Sequence, residues 1–421
     1  MGTRNDVTGQ QNNGTRKSRN RIKVTATTAK QNDTLAGLGI VQTFANGREY
    51  WEVPHGVKTQ EGPHGYFRYI GKFPPQIARA IIDEYSNERD VILDPMCGGG
   101  TTLTEAILAR RRRIIGYDVN PVSLIVSRAA STVFRASELR KCAEEVFAQV
   151  PEAQRPLLQK ADQTATKLVD LGNNAKFFTP KAHRELSAIF AAISKISKPD
   201  VQAFLQTAFF AILRRVSLCN VKKMNIEFDL EKKKVWPVPE LITKTIEANL
   251  SLHDAYAADV GEHRWELILR QRNATEFDPE DNHIGLIIAH PPYMSNTAFS
   301  ESTQLQLAFL GIDHKTIWKS ELRHRGSYLH EPNGVQKYLV GWCNIVRQAF
   351  TALKKGGHFA AVVGDGQVDT VRIPVGTITR EFCEDTGFEV VRHAEHILNN
   401  NTGRTLNRRM RTQHIVIARK P

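Results

Sequence analysis

Three consecutive glycines between an apolar run and a helical pattern constrain this chain most. The stretch "ILDPMCGGGTTLTEA" covers residues 92–106. "DVILDP" reads as a short buried strand, "TTLTEAILARR" as a helix and "RIIGYDVNP" as a second strand. Strand, helix and strand at this spacing form a right-handed parallel unit. Open α/β sheets of that kind bind ligands at the carboxyl ends of their strands, where the glycines sit.

Three ligands compete for the turn. A P-loop needs a lysine after its last glycine to reach phosphates, but Gly98, Gly99 and Gly100 are followed by Thr101 and Thr102. A dinucleotide fingerprint needs a third glycine where Leu103 stands. S-adenosylmethionine remains. Its amino-acid end needs close backbone approach, hence glycine, and it carries no pyrophosphate. Asp118 ends the next strand, 18 residues past Gly100, where a carboxylate accepts hydrogen bonds from a ribose diol. Asp94, ending the first strand, is placed to hold the ligand's ammonium. The plain alternative is a tight strand–helix turn with a surface aspartate.

A second strand, "GLIIAH", runs into Pro291, Pro292 and Tyr293. Two prolines fix two φ angles, remove backbone donors and leave carbonyls free. An aromatic face there can stack on a planar base, worth about 1–3 kcal/mol. Such a turn suits methylation of an exocyclic amino group. Hydrogen bonds accepted from the amine, by the residue before the prolines and by the Pro291 carbonyl, favour a pyramidal, more nucleophilic nitrogen. The base must leave the duplex stack to reach such a pocket.

"DPMCGGGTT" with "PPY" resembles the amino-methyltransferase superfamily, of the bacterial DNA modification methylase type acting on cytosine N4 or adenine N6. "GYFRYIGKFPPQIARAII", "FFTPKAHREL", "AILRRVS", "LQLAFLGID" and "ALKKGGHFAAVVGDG" extend the resemblance over roughly residues 65–420. It implies a Rossmann-like α/β sheet dependent on S-adenosylmethionine. It implies a catalytic turn of His290, Pro291, Pro292 and Tyr293. It implies cofactor contacts from Lys72, Phe73, Asp94, Met96, Gly98, Gly100, Thr101, Thr102, Asp118 and Asn273. The implied partner is double-stranded DNA, with a cognate restriction endonuclease as an open companion. Three departures stand out. The family has an oxygen acceptor where this chain has His290. A neutral imidazole has one acceptor nitrogen, and the protonated ring has none. Asn273 replaces an acidic residue, though an amide can still read the cofactor's adenine. Gly99 stands where serine is frequent, a change expected to be harmless.

The target base stays open. The wider resemblance leans to cytosine N4 over adenine N6. An RNA methyltransferase acting on guanine N2, or an inactive nucleic-acid-binding relic, are the rivals. A net charge of +13 favours a polyanionic partner. Basic runs in "RRVSLCNVKKMN" and "LEKKKVWP", and Lys319, Arg323, His324 and Arg325, are candidate phosphate contacts. Each reads equally as a solvated helix face.

Residues 1–45 read as a disordered basic tail whose Arg16, Lys17, Arg19, Arg21 and Lys23 are available to phosphates. Residues 46–130 form the cofactor-binding part, 131–260 a helical insertion and 261–421 the catalytic part. "FEVVRHAEHI" and "QHIVIARK" are expected to pair as a closing hairpin. Five scattered cysteines without a CxxC pair argue against a zinc site or a disulfide framework. The polar N-terminus does not read as a secretory signal, and no apolar run is long enough to span a bilayer. A reducing, cytoplasmic setting follows as the default.

Overall fold

A computed structural model describes residues 33–54, 58–149, 168–232, 235–277, 283–294, 298–322, 333–368, 371–398 and 412–421. Arg16, Lys17, Arg19, Arg21, Lys23, Arg323, His324 and Arg325 lie outside them.

The chain opens with α1 (Asp33–Gly37), β1 (Val41–Ala45) and β2 (Arg48–Glu52). Residues 33–45, expected to belong to the disordered tail, thus carry a helix and a strand. Leu35, Ile40 and Trp51 are buried in the main core, so three apolar side chains pin a segment that composition alone marks as polar. The α/β alternation follows: α2 (Pro75–Tyr85), β3 (Val91–Asp94), α3 (Thr101–Leu108), β4 (Arg113–Asp118) and α4 (Pro121–Ala130). Proline at the first position of α2 and of α4 suits a site whose N–H has no helical partner, and Asn120 caps α4 by accepting from Val122 N at 3.0 Å.

Helices α5 (Ala136–Gln149), α6 (Pro180–Ser194), α7 (Pro199–Val216) and α8 (Val238–Val260) make up the expected helical stretch. Then come β5 (Glu266–Gln271), β6 (Ile284–Ala289), the short helices α9 (Phe299–Ser302), α10 (Gln304–Phe309) and α11 (His314–Trp318), and the long α12 (Gly334–Ala352). Strands β7 (Leu353–Gly364), β8 (Gly366–Val368) and β9 (Val371–Ile373), helix α13 (Val375–Thr386) and strands β10 (Glu389–Ile397) and β11 (Thr412–Arg419) complete the chain.

Nine strands form one sheet in the order β1-β2-β10-β11-β7-β6-β3-β4-β5. Its centre, β7-β6-β3-β4-β5, is parallel, and β10 pairs antiparallel with β11 as the sequence predicts. Every residue of β6 is buried. Leu286 and Ile288 face the layer of α2 and α3, while Ile287 and Ala289 face the layer of α12 and α13. Covering both faces is what a continuous apolar run of this length demands. Ile92 pairs with Leu286 and Leu93 with Ile287, so β6 lies beside β3 and their carboxyl ends emerge together.

The helical stretch does not stand apart. Its core holds Val122 and Val126 of α4, Tyr66 and Phe67 upstream, and Leu305, Leu307 and Phe309 of α10. The segment after Pro-Pro-Tyr therefore packs on the insertion and on the sheet domain at once.

Candidate active site

The glycine turn is built by backbone conformation. Gly98 has φ +50° and Gly100 φ +79°, the left-handed region that glycine enters without steric cost. Gly100 ends the turn as the residue preceding α3. The amide of Cys97 donates to the Tyr117 carbonyl at 2.8 Å, tying the turn to the end of β4. Gly99 departs from expectation. A Cβ there would stand 2.3 Å from Lys72 Cε and 2.9 Å from Tyr69 Cβ. A serine would force the lysine aside, so glycine is fitted to this chain's own Lys72.

Two carboxylates flank the turn. Asp118 accepts from Gly98 N at 2.9 Å and from Asn120 N at 2.8 Å. Asp94 accepts from Met96 N at 3.0 Å. Burial pushes Asp94 up to about 7 and Asp118 up to about 6, against the relief given by these amides. No cation among the described residues pairs with either. Lys72 does not serve: burial holds it down at about 8, and its ammonium donates to the carbonyls of His64 at 3.1 Å and Phe67 at 3.4 Å. A buried Asp94 and a half-buried Asp118, both without a cationic partner, beside a glycine cradle suit a ligand that brings a positive charge and a diol. S-adenosylmethionine has both, so the residues fit it.

These groups line one cleft. It gathers Lys72, Phe73, Asp94, Met96, Gly98, Thr101, Asp118, Asn273 and His290 from the sequence-predicted set, with Pro292. Gly100, Thr102, Pro291 and Tyr293 are not among its lining residues. Asn273 is largely occupied: its Oδ1 accepts from Thr275 N at 3.0 Å and Oγ1 at 2.9 Å, and its Nδ2 donates to the Ser320 carbonyl at 3.2 Å. Its visible work is to hold Ser320 against the rim.

Other lining residues escaped the sequence reading. Tyr69 and Phe299 stack with centroids 5.7 Å apart, and Tyr69 hydroxyl bonds Ser123 at 2.8 Å. Glu321 joins the wall, accepting from Ser300 N at 2.7 Å. Tyr69 lies within "GYFRYIGKF" and was within reach of the motif. Phe299 and Glu321 carry no local signal.

His290 sits where β6 ends, against Phe73 with ring centroids 4.9 Å apart. Its Nε2 is 3.0 Å from the Tyr293 hydroxyl, and the two rings meet edge to face. Burial, then the nearby His396, lowers its pKa to about 4, so the ring is neutral at neutral pH. Tyr293 is 8% exposed, its ring spent on His290 in this arrangement. Tyr338 of α12 donates to the Pro292 carbonyl at 2.8 Å and steadies the turn. His396 and Tyr338 come from far along the chain, and nothing in the sequence links them to the turn.

The parallel sheet, the glycine turn and the two carboxylates make an α/β fold whose cleft fits S-adenosylmethionine. Residues 7–125 match the family model described as DNA methylase, so the resemblance to the amino-methyltransferase superfamily holds. That stretch contains the glycine turn and Asp118 but ends before His290. The chain is 24% identical over 274 residues to the type II methyltransferase M.MvaI of Kocuria varians, covering 61% of this chain and 59% of that relative. It is 23% identical over 296 residues to the type II methyltransferase M.BsoBI of Geobacillus stearothermophilus, covering 63% and 56%. It thus spans less than two thirds of the length of these curated relatives. Among solved structures, an S-adenosylmethionine-dependent methyltransferase of Methanosarcina mazei matches with 12% identity over 81% of this chain and 96% of that one. The TM-score of that match is 0.32. No helix among the described residues is long and apolar enough to cross a membrane.

Proposed function

We propose that this chain methylates an exocyclic amino group of a base in double-stranded DNA, cytosine N4 before adenine N6, as part of a restriction-modification system. The carrying observation is His290, neutral and half-buried, on the wall of the same cleft as Asp94 and Asp118. Held by the glycine turn, Asp94 and Asp118, S-adenosylmethionine would supply the methyl group. The residues of this chain orient and activate the amine. Tyr293 engages His290 Nε2, so Nδ1 is the nitrogen left to accept an N–H from the target. That requires Nε2 to carry the proton and donate to the tyrosine oxygen. The Pro291 carbonyl is the second acceptor. Lys72, Phe73, Met96, Gly98, Gly100, Thr101, Thr102 and Asn273 complete the cofactor side of the reading.

The RNA guanine-N2 and inactive-relic readings remain its rivals. Mass spectrometry of nucleosides from DNA exposed to the protein and S-adenosylmethionine decides among them. N4-methylcytosine is expected. N6-methyladenine would move the base assignment, and methylation confined to RNA would overturn the DNA reading. Retained cofactor binding with no product on any polynucleotide would favour the relic.

A further inference from the structure

We propose that the hairpin from Ser217 to Lys232, which leaves the end of α7, is an arm that grips duplex DNA beside the cleft. This inference rests on the DNA reading above and names the surface that serves it.

The hairpin is a built element. Cys219 and Phe228 form an antiparallel bridge, Asn220 N donates to the Glu227 carbonyl at 2.9 Å, and Asp229 N donates to the Leu218 carbonyl at 2.9 Å. At its base Lys232 donates to the Ser217 carbonyl at 2.6 Å and the Cys219 carbonyl at 3.3 Å, fixing it to the last turn of α7. That lysine is used structurally. Lys222 and Lys223 at the tip are exposed.

The surface has two properties that rarely coincide on an inert face. Of nine exposed large hydrophobic residues among the described ones, four are Val221, Phe228, Leu230 and Trp236. Leu230 is 97% exposed, the extreme for its type here. These apolar groups are interleaved with cations: Lys176 lies 5.9 Å from the Phe228 ring centre, and the Arg215 guanidinium 5.0 Å from that of Trp236. The described residues 214–232 hold five basic side chains, of which Arg215, Lys222 and Lys223 are exposed, and three acidic ones. Cations that reach phosphates, next to rings and apolar tips that touch sugars and base edges, are the chemistry of a nucleic-acid surface. A folded protein partner would favour an apolar centre with the charges at its rim.

Position ties the hairpin to the site. The Arg214 guanidinium donates to the carbonyls of Lys223 and Met224 in the hairpin, and to that of Ser302 at 3.1 Å. Ser302 closes α9, whose first residue, Phe299, lines the cleft. DNA presenting a base to the cleft therefore runs past the segment to which Arg214 fastens the arm.

The test is duplex DNA binding by fluorescence anisotropy across a salt series, with the full chain and S-adenosylmethionine present. A Lys222→Ala/Lys223→Ala variant is expected to bind more weakly and to flatten the salt slope by about two contacts' worth, ~0.9 each. Its affinity for S-adenosylmethionine should stay unchanged, which shows that the chain is folded. A slope equal to that of the wild type overturns the arm. So does a loss of affinity for single-stranded RNA alone, which would assign the hairpin to RNA. Wild-type protein without salt-dependent DNA affinity would instead bring down the DNA reading itself.

Discussion

The two ends of the cleft are made differently. The cofactor end is set by backbone: two left-handed glycines, and two carboxylates held by neighbouring amides, all within 27 residues of chain from 92 to 118. The target end is set by side chains from distant elements: His290 on β6, Phe73 before α2, Tyr338 on α12 and His396 on β10. A backbone-built site tolerates few residue types and so leaves a signature. A site built from side chains across the fold can exchange one acceptor for another, which is the role proposed for His290.

The comparison breaks first at His290. Replacing it with alanine should slow methyl transfer by about 10²–10⁴-fold, the scale for a positioned acceptor or base. Cofactor affinity, measured by titration calorimetry, should be untouched. If single-turnover rates of His290→Ala match the wild type, the target end does not depend on this ring. His290→Asp and His290→Ser, which restore an oxygen acceptor, should retain part of the rate.

Asp118→Ala attacks the opposite end. It should weaken S-adenosylmethionine binding by about 1–3 kcal/mol, up to roughly a hundredfold, through loss of the partner for the ribose diol. The rate at saturating cofactor should fall far less. Unchanged calorimetric affinity would remove Asp118 from the site.

pH separates the two ends without mutation. Asp94, raised by burial to about 7, is largely protonated below that value. Binding a cationic ligand favours the carboxylate, so its pKa falls in the complex and binding releases a proton. Affinity should therefore drop by up to about tenfold per pH unit below 7, and hold above it. His290, at about 4, stays neutral throughout this range. The saturated rate should thus run level down to about pH 5 as far as His290 governs it. An acidic limb near 6.5 in the saturated rate would mean that His290 titrates normally in the working complex.

The smallest effect sharpens the role of Tyr293. Tyr293→Phe keeps the ring and removes the hydroxyl that meets His290 Nε2. The rate should fall by a factor of a few, up to about tenfold, the worth of one hydrogen bond. If Tyr293→Phe causes no further loss in the His290→Asp background, the hydroxyl acts through the imidazole.

What the sequence made legible follows the same division. Strand β3, the glycine turn, α3, β4 and Asp118 are local in the chain, and their periodicity and spacing are visible there. β6 and its prolines were legible because a buried strand ending in Pro-Pro is unusual. The Tyr293 contact with His290, the Tyr69–Phe299 stack and the engagement of Asn273 by Thr275 and Ser320 depend on tertiary placement, which spacing does not encode. Gly99 is instructive. It reads as a tolerated variation, yet its missing Cβ makes room for Lys72, a residue 27 positions earlier.

The sheet edge carries a consequence for how the polypeptide is made. Residues 49–52 of β2 pair in parallel with residues 394–397 of β10, and Arg48 bridges Glu395 at 2.8 Å. On a ribosome, β2 waits for the whole stretch between residues 52 and 394 before its partner emerges. Meanwhile Trp51, buried in the finished protein, has no β10 to lie beside. Translation at roughly 5–20 residues per second makes that wait last tens of seconds. The nascent chain therefore carries a β1–β2 ribbon without its β10 neighbour until residues 394–397 emerge, and this edge of the sheet is completed late.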